Sequence, residues 1–177
     1  MGAGRVAVHP RVDGRGALDW VKASRPWNVS RQLGWGHQVP IWYCPDGHVT
    51  GVETTPDACA ECGSTEIERD PDVLDTWFSS ALWPFATLGW PDDTPELRAF
   101  YPGDVNSTAR EIIFLWVNRM LMAGLVLLGE IPFPDVIIHS TVLAPDGRRI
   151  AKSPGNGRTP PPVLDKPGAA ATPPRPL

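Results

Sequence analysis

Three cysteines and one histidine, all good ligands for a transition metal, lie close together in the sequence. Cys59 and Cys62 form a Cys-x-x-Cys-Gly turn, whose backbone amides can orient two thiolates toward one ion. Cys44 precedes this turn, and His48 is the obvious fourth ligand, although its spacing from Cys44 is wider than in the common Cys-x-x-Cys half-site. The pattern indicates a structural zinc site with four tetrahedral ligands. Reduced thiols without a metal are the alternative.

Residues 70–85, DPDVLDTWFSSALWPF, are the second stretch whose side chains could bind a ligand. They bring Trp77, Phe78, Trp83 and Phe85 close to acidic residues and hydroxyl groups. Rigid aromatic faces beside polar groups can hold a small apolar ligand that carries charged groups. The stretch therefore indicates a ligand pocket, and an aromatic core without a ligand is the alternative.

The second half of the chain contains a predicted helix and a predicted strand, which could form the scaffold for a ligand pocket. Residues 112–127 are apolar around most of a helical circumference, which predicts a buried helix that Gly129 ends. Thr108 and Glu111 have the spacing of a capping box at the start of this helix. Residues 136–138 are apolar without alternation, as in a parallel strand that is covered on both faces.

A strand from Val105, this helix and the strand at residues 135–143 predict one βαβ crossover. The expected fold class is therefore α/β, as part of a doubly wound nucleotide-binding sheet. Earlier in the chain, residues 1–16 predict a frayed start, residues 17–24 a short helix, and residues 27–43 irregular strand and loop. Residues 144–147, APDG, predict a turn, and a basic segment follows it.

The composition limits the class of protein. With 177 residues and 42% apolar residues, the chain is long enough for one domain with a small insertion. Its net charge of −4 gives no overall basic field for gripping nucleic acid. No apolar stretch is long enough to span a bilayer and no signal core follows Met1, so we predict a cytoplasmic protein that does not act in a membrane.

The central stretch, continued by residues 86–91 (ATLGWP), resembles the amino-acid-pocket segment of valyl-tRNA synthetase, a class I aminoacyl-tRNA synthetase. Residues 30–43 resemble the SRQLWWGHQIPIWY block of that family, with Gly34 in place of a tryptophan. Residues 149–153, RIAKS, resemble the KMSKS loop. Lys152 and Ser153 match it, whereas Arg149 stands in place of its first lysine.

The resemblance implies ATP-dependent activation of valine to valyl-adenylate and transfer of valine to tRNA(Val). ATP would act with Mg²⁺ as a substrate, and Zn²⁺ would be structural. Trp77 and Trp116 would flank the valine side chain. Lys152, as the catalytic residue, would contact ATP together with Ser153 and Arg149, for which a solvated basic turn is the alternative. Glu111 would accept from the ribose hydroxyls, unless its carboxylate forms the capping box.

The same resemblance implies the C-terminal half of a class I synthetase Rossmann-like fold with a small zinc-knuckle insertion. Residues 1–43 would re-enter the catalytic core and residues 44–69 would form the insertion. Residues 70–157 would form the second half of the catalytic domain, and the Pro- and Ala-rich residues 158–177 a disordered tail.

No stretch of the 177 residues matches the HIGH motif, and residues 37–40, HQVP, do not substitute for it. We therefore expect the isolated chain to be inactive, because the HIGH-bearing half, the editing domain and the anticodon-binding domain of the family are missing from it. The alternative is a non-catalytic zinc-knuckle module that associates with RNA or with another synthetase.

Overall fold

The computed structural model describes residues 4–141, 143–144, 146–150 and 155–156. Its first compact unit comprises Met1–Asp19, Asp104–Ile113 and Phe133–Leu177, and its second comprises Trp20–Gly103 and Phe114–Pro132. The helices are α1 (Arg11–Lys22), α2 (Thr76–Ala86), α3 (Pro95–Phe100) and α4 (Asn118–Leu127). The strands are β1 (Ala7–His9), β2 (Ser30–Arg31), β3 (Ile41–Tyr43), β4 (Val49–Gly51), β5 (Glu68–Arg69), β6 (Val73–Leu74), β7 (Val105–Ala109) and β8 (Asp135–His139).

The first unit contains a parallel sheet in the order β1-β8-β7. Val8 lies opposite Val136, and Thr108 lies opposite Ile138. The chain between β7 and β8 passes through a 3-10 turn (Arg110–Ile112), a π-helical turn (Ile113–Val117) and α4. The two strands are parallel and a helical segment connects them, which confirms the predicted βαβ crossover.

The predicted capping box is wrong. Thr108 lies inside β7, and the hydroxyl of its buried side chain has no hydrogen-bond partner among the described residues. Ala109 precedes the 3-10 turn without a side-chain cap. Residues of β7 alternate between exposed and buried, so Thr108 follows the strand period rather than starting a helix.

Two predictions of complete burial are also wrong. In α4, Met120 and Leu121 are buried, but the exposed fraction of Val126 is 81% and that of Met122 is 48%. In β8, Val136 is fully buried, whereas Ile137 is 45% exposed. One side of each element is therefore uncovered in this chain, although its sequence is apolar.

From residue 4 onward, the start of the chain is ordered rather than frayed. Val6 and Val8 are buried around β1, and Ala17 in α1 is fully buried. Helix α1 begins at Arg11, six residues before the predicted start. A Cβ atom on Gly14 would lie 3.3 Å from Cβ of Val8, so this glycine allows α1 to approach β1 closely.

The second unit contains the antiparallel pair β2-β6 and an antiparallel sheet in the order β4-β3-β5. Short strands separated by loops at residues 27–43 agree with the sequence prediction. Helix α2 packs against α4, and the fully buried Phe85 makes edge-to-face contacts with Trp90 and Tyr101. This packing fixes α2, which carries much of the central aromatic stretch.

No helix in the described part of the chain is long and apolar enough to cross a membrane. Residues 158–177, which we predicted to form a disordered tail, lie outside the described residues.

Candidate functional site

The structure brings together the four predicted metal ligands. The ligand atoms of Cys44, His48, Cys59 and Cys62 all lie within 4.8 Å of one another. Sγ of Cys44 lies 3.7 Å from Sγ of Cys62 and 3.5 Å from Nδ1 of His48. Tetrahedral zinc with Zn–S bonds of about 2.3 Å places its ligand atoms roughly 3.8 Å apart. The donor set and its spacing therefore fit a structural zinc ion.

Two tight turns of the second unit hold these ligands. The amide of Gly47 donates to the carbonyl of Cys44, and the amide of Gly63 donates to the carbonyl of Cys59. Both glycines have positive φ values, 80° and 71°, which a side chain would strain. Hydrogen bonds from the amides of Cys62 and Glu61 lower the pKa of Cys59 to about 6, which favours the thiolate that binds a metal.

Glu61 belongs to the surroundings of this metal site. Its Oε2 lies 3.7 Å from Nε2 of His48, whereas Nδ1 of the same ring lies 3.5 Å from Sγ of Cys44. A carboxylate near Nε2 favours a proton there and leaves Nδ1 free to bind the metal.

Asp75 positions the central aromatic helix. Its Oδ1 accepts from the amide of Trp77 and caps α2, while its Oδ2 accepts from Nη2 of Arg31 at 2.5 Å and from Nε1 of Trp27 at 3.1 Å. The Asp75 side chain is only 8% exposed. One buried carboxylate thus joins the start of α2 to β2 and to the segment before β2.

Replacing Asp75 by Ala is expected to lower the free energy of unfolding by about 3 kcal/mol, because it removes the cap and leaves Arg31 and Trp27 without their acceptor. Urea denaturation measures this change. Asp93→Ala is the control, since Asp93 pairs with Arg98 at the surface, where an ion pair stabilises little. Equal unfolding midpoints for the two variants would contradict the role of Asp75.

The two predicted valine-contacting tryptophans lie in the second unit. Trp77 is in the first turn of α2 and Trp116 is in the π-helical turn before α4, and both side chains are half-buried. Nε1 of Trp116 donates to the carbonyl of Ser80 at 3.3 Å, and its ring lies 6.2 Å from the ring of Trp83. The Trp116 indole is therefore held in one orientation against α2.

The predicted ATP-contacting residues that are described lie in the first unit. A guanidinium nitrogen of Arg149 donates to Oε1 of Glu111, and Oγ1 of Thr141 donates to Oε2 at 3.1 Å. A hydrogen bond from its own amide, and then those from Thr141 and Arg149, hold the pKa of Glu111 below its usual value. Glu111 is thus an anionic acceptor beside a cation, and its carboxylate is not used for helix capping.

Arg149 belongs to a turn that the sequence predicted. The amide of Gly147 donates to the carbonyl of Ala144, and Leu143 pairs with Arg149 across the turn. Lys152 and Ser153, which follow this turn, lie outside the described residues.

Several partners of these residues could not be predicted from the sequence. Neither Arg31 nor Thr141 was expected beside Asp75 or Glu111, and the Ser80 carbonyl was not expected to hold Trp116. Arg31 and Asp75 are 44 positions apart, and Arg149 and Glu111 are 38 positions apart. Opposite charge was the only available signal, and many other pairs of residues share it.

A family model described as tRNA synthetases class I (I, L, M and V) matches residues 4–172. The chain belongs to the class I tRNA synthetase family. Two solved class I synthetases have the same fold at low sequence identity. A leucyl-tRNA synthetase of Agrobacterium radiobacter, in a ternary complex with tRNA, aligns with 79% of this chain and 22% of its own chain, at a TM-score of 0.66 and 23% identity. A Mycobacterium tuberculosis methionyl-tRNA synthetase in complex with methionyl-adenylate aligns with 93% of this chain and 27% of its own, at a TM-score of 0.64 and 21% identity.

Two of its sequence relatives are valine–tRNA ligases. That of Symbiobacterium thermophilum is 49% identical over 96% of this chain, and that of Carboxydothermus hydrogenoformans is 52% identical over 86%. These relatives confirm the predicted resemblance to valyl-tRNA synthetase, and the structural matches confirm the α/β fold of a class I catalytic domain. The chain spans 19% and 17% of the length of these two ligases.

Proposed function

We propose that this chain forms the second half of the catalytic domain of a valine–tRNA ligase in the cytoplasm. Within the whole enzyme it would take part in ATP-dependent activation of valine and in transfer of valine to tRNA(Val). The observation that carries this proposal is the Trp116 indole fixed against α2 by Ser80 and Trp83, in a chain whose relatives are valine–tRNA ligases. We also propose that the chain consists of four segments. They are a re-entry segment at residues 1–43, a zinc-knuckle insertion at 44–69, the second half of the catalytic domain at 70–157 and a tail at 158–177.

Trp77 and Trp116 are proposed to flank the valine side chain. Two rigid indole faces can measure the width of a branched aliphatic group at a low cost in conformational entropy. The hydrogen bond from Trp116 to Ser80 supports this role, because it prevents the ring from turning away. A pocket of this kind excludes larger side chains but discriminates weakly against an isostere that carries a hydroxyl group.

Glu111, Arg149, Lys152 and Ser153 are proposed to bind ATP. The valine carboxylate attacks the α-phosphorus, an oxygen–phosphorus bond forms, and the bond to pyrophosphate breaks with its electron pair on the leaving oxygen. Lys152 would stabilise the charge on pyrophosphate, and Mg²⁺ bound with ATP would supply further positive charge. Glu111, an anion at neutral pH, would accept from the ribose hydroxyls, while Arg149 would pair with phosphate instead of Glu111.

Trp116→Ala in an intact valine–tRNA ligase that carries this sequence is expected to lower kcat/KM for valine by roughly thirtyfold or more, because one wall of the pocket is removed. Valine-dependent exchange of pyrophosphate into ATP measures this effect. Trp35→Ala is the control, since Trp35 is 89% exposed and has no proposed contact with valine. An equal loss in both variants would refute the pocket assignment.

The isolated 177 residues are proposed to be inactive in this exchange, because they contain no match to the HIGH motif whose histidines contact ATP phosphates in the family. Exchange should be undetectable with the isolated chain at concentrations where its fold is intact by circular dichroism. Robust valine-dependent exchange by the chain alone would overturn this part of the proposal.

A non-catalytic zinc-knuckle module is the second candidate function, and the four ligands gathered on the β4-β3-β5 side of the second unit favour it. Such a module would bind RNA or another synthetase without activating valine. A gel-shift titration with tRNA(Val), with and without removal of zinc by a chelator, tests whether such a module binds this RNA. Zinc-dependent binding by the isolated chain would support the module, and no binding would exclude tRNA(Val) as its partner.

A further inference from the structure

A cleft in the second unit is not used by the proposed reaction. It has a volume of about 770 Å³ and lies among the end of α1, the chain leading to β2, and helices α2 and α4. Neither Trp77 nor Trp116 lines it. Its apolar walls include two indoles and the uncovered side of α4: Trp20, Trp27, Phe78, Met122, Val126 and Leu127. This volume lies within the range of about 300–1,000 Å³ that is common for small-molecule sites.

The charged side chains of this cleft are all of one sign. Arg25, Arg31 and Arg119 line it, and among the described residues no Asp or Glu does. The chain as a whole has a net charge of −4, so the positive charge of this cleft is opposite in sign to that of the whole chain. An apolar cleft with only cationic side chains favours a ligand that carries negative charge.

Arg119 is a cation of the cleft whose guanidinium has an unsatisfied donor. Its guanidinium carbon lies 3.5 Å from the centre of the Trp27 ring, and its buried Nη1 has no hydrogen-bond partner among the described residues. Asp75 is the acid whose charge acts on Arg119, but its Oδ2 already accepts from Arg31 and Trp27. Two arginines thus share one carboxylate, which leaves one positive charge in excess beside the cleft.

We propose that this cleft binds a small apolar acid that carries a flat ring and one carboxylate, with Arg119 as the partner of the carboxylate. The planar guanidinium matches a carboxylate, and the indoles of Trp20 and Trp27 match a flat ring. The ligand would also cover Val126, which is 81% exposed. Burial of this apolar surface and neutralisation of the excess charge would both stabilise the complex.

A nucleotide fits this cleft less well, because its base and ribose need several hydrogen-bond partners. The uncharged polar side chains in the lining are Ser24 and Asn28. The Ser24 hydroxyl already donates to the carbonyl of Val21, and Oδ1 of Asn28 already accepts from Ser30. The cleft therefore favours an aryl-substituted aliphatic acid over a nucleoside phosphate.

Isothermal titration of the 177-residue protein with 4-phenylbutyrate tests the proposal. We expect binding with a Kd of about 0.1–1 mM, as its size allows. The uncharged 4-phenylbutanamide is expected to bind about tenfold more weakly, because it lacks the charge that pairs with Arg119. Arg119→Met should cause a similar loss for the acid but no loss for the amide. Arg69→Met is the matched control, since Arg69 also stacks on a tryptophan, Trp42, but does not line the cleft.

A second variant keeps the test valid if Arg119→Met does not fold. Val126→Glu places a negative charge at an exposed position of the lining, where it should leave the fold intact and weaken binding of the acid by about threefold or more. Equal affinity for the acid and the amide would overturn the proposal, as would the absence of binding to the folded wild type. Tighter binding of adenosine monophosphate than of 4-phenylbutyrate would also overturn it.

Discussion

Cys59→Ser is expected to reduce bound zinc from about one ion per chain to a small fraction, and to lower the melting temperature by about 10 °C or more, because binding of a structural metal is linked to folding. Cys59 is buried, and hydrogen bonds from the amides of Cys62 and Glu61 favour its thiolate. Serine keeps the size of the side chain but is a poor zinc ligand. Elemental analysis and thermal unfolding followed by circular dichroism measure the two effects.

His48→Ala tests the fourth ligand in the same way, and His37→Ala is its control because His37 is an exposed histidine outside the cluster. We expect zinc loss in the first variant and full retention in the second. Retention by His48→Ala would transfer the fourth position to water or to Asp46. Wild-type protein that contains no stoichiometric zinc when it is prepared without chelators would contradict the metal site altogether.

Lys152→Ala is expected to reduce turnover about a hundredfold or more, or roughly 3 kcal/mol, in an intact valine–tRNA ligase that carries this sequence. The lysine would act mainly on the charge that develops as pyrophosphate leaves, so the loss should appear in kcat more than in KM for valine. Valine-dependent pyrophosphate exchange at saturating substrates measures it. Lys22→Ala, at the exposed end of α1, is the control. An unaffected Lys152→Ala enzyme would overturn the assignment of the KMSKS-like loop.

The features predicted correctly from the sequence depend on local patterns. The spacing of Cys44, Cys59 and Cys62 in two short turns was enough to predict their convergence, because each turn positions its own ligands. The Pro-Asp-Gly turn before Arg149 and the βαβ crossover also follow from short patterns and from chain connectivity.

The features predicted wrongly depend on contacts between distant parts of the chain. Residues 4–16, which include β1 and the start of α1, contain several Gly and Arg residues and show no clear period. β1 is ordered by its pairing with β8. Thr108 has the residue type and spacing of a cap, but its pairing opposite Ile138 places it in a strand. The all-round apolar sequence of α4 indicated complete burial, whereas Val126 is exposed, since apolarity does not specify which other segment covers it.

We propose that these residues supply the valine-binding half of a ligase active site. The most direct test replaces the matching stretch of an intact valine–tRNA ligase with this sequence and measures amino-acid-dependent pyrophosphate exchange. We predict exchange that depends on valine, is weaker with threonine, and is near background with leucine, because two indole walls exclude the larger side chain. A folded chimera without valine-dependent exchange, or one that accepts leucine as readily as valine, would contradict the claim.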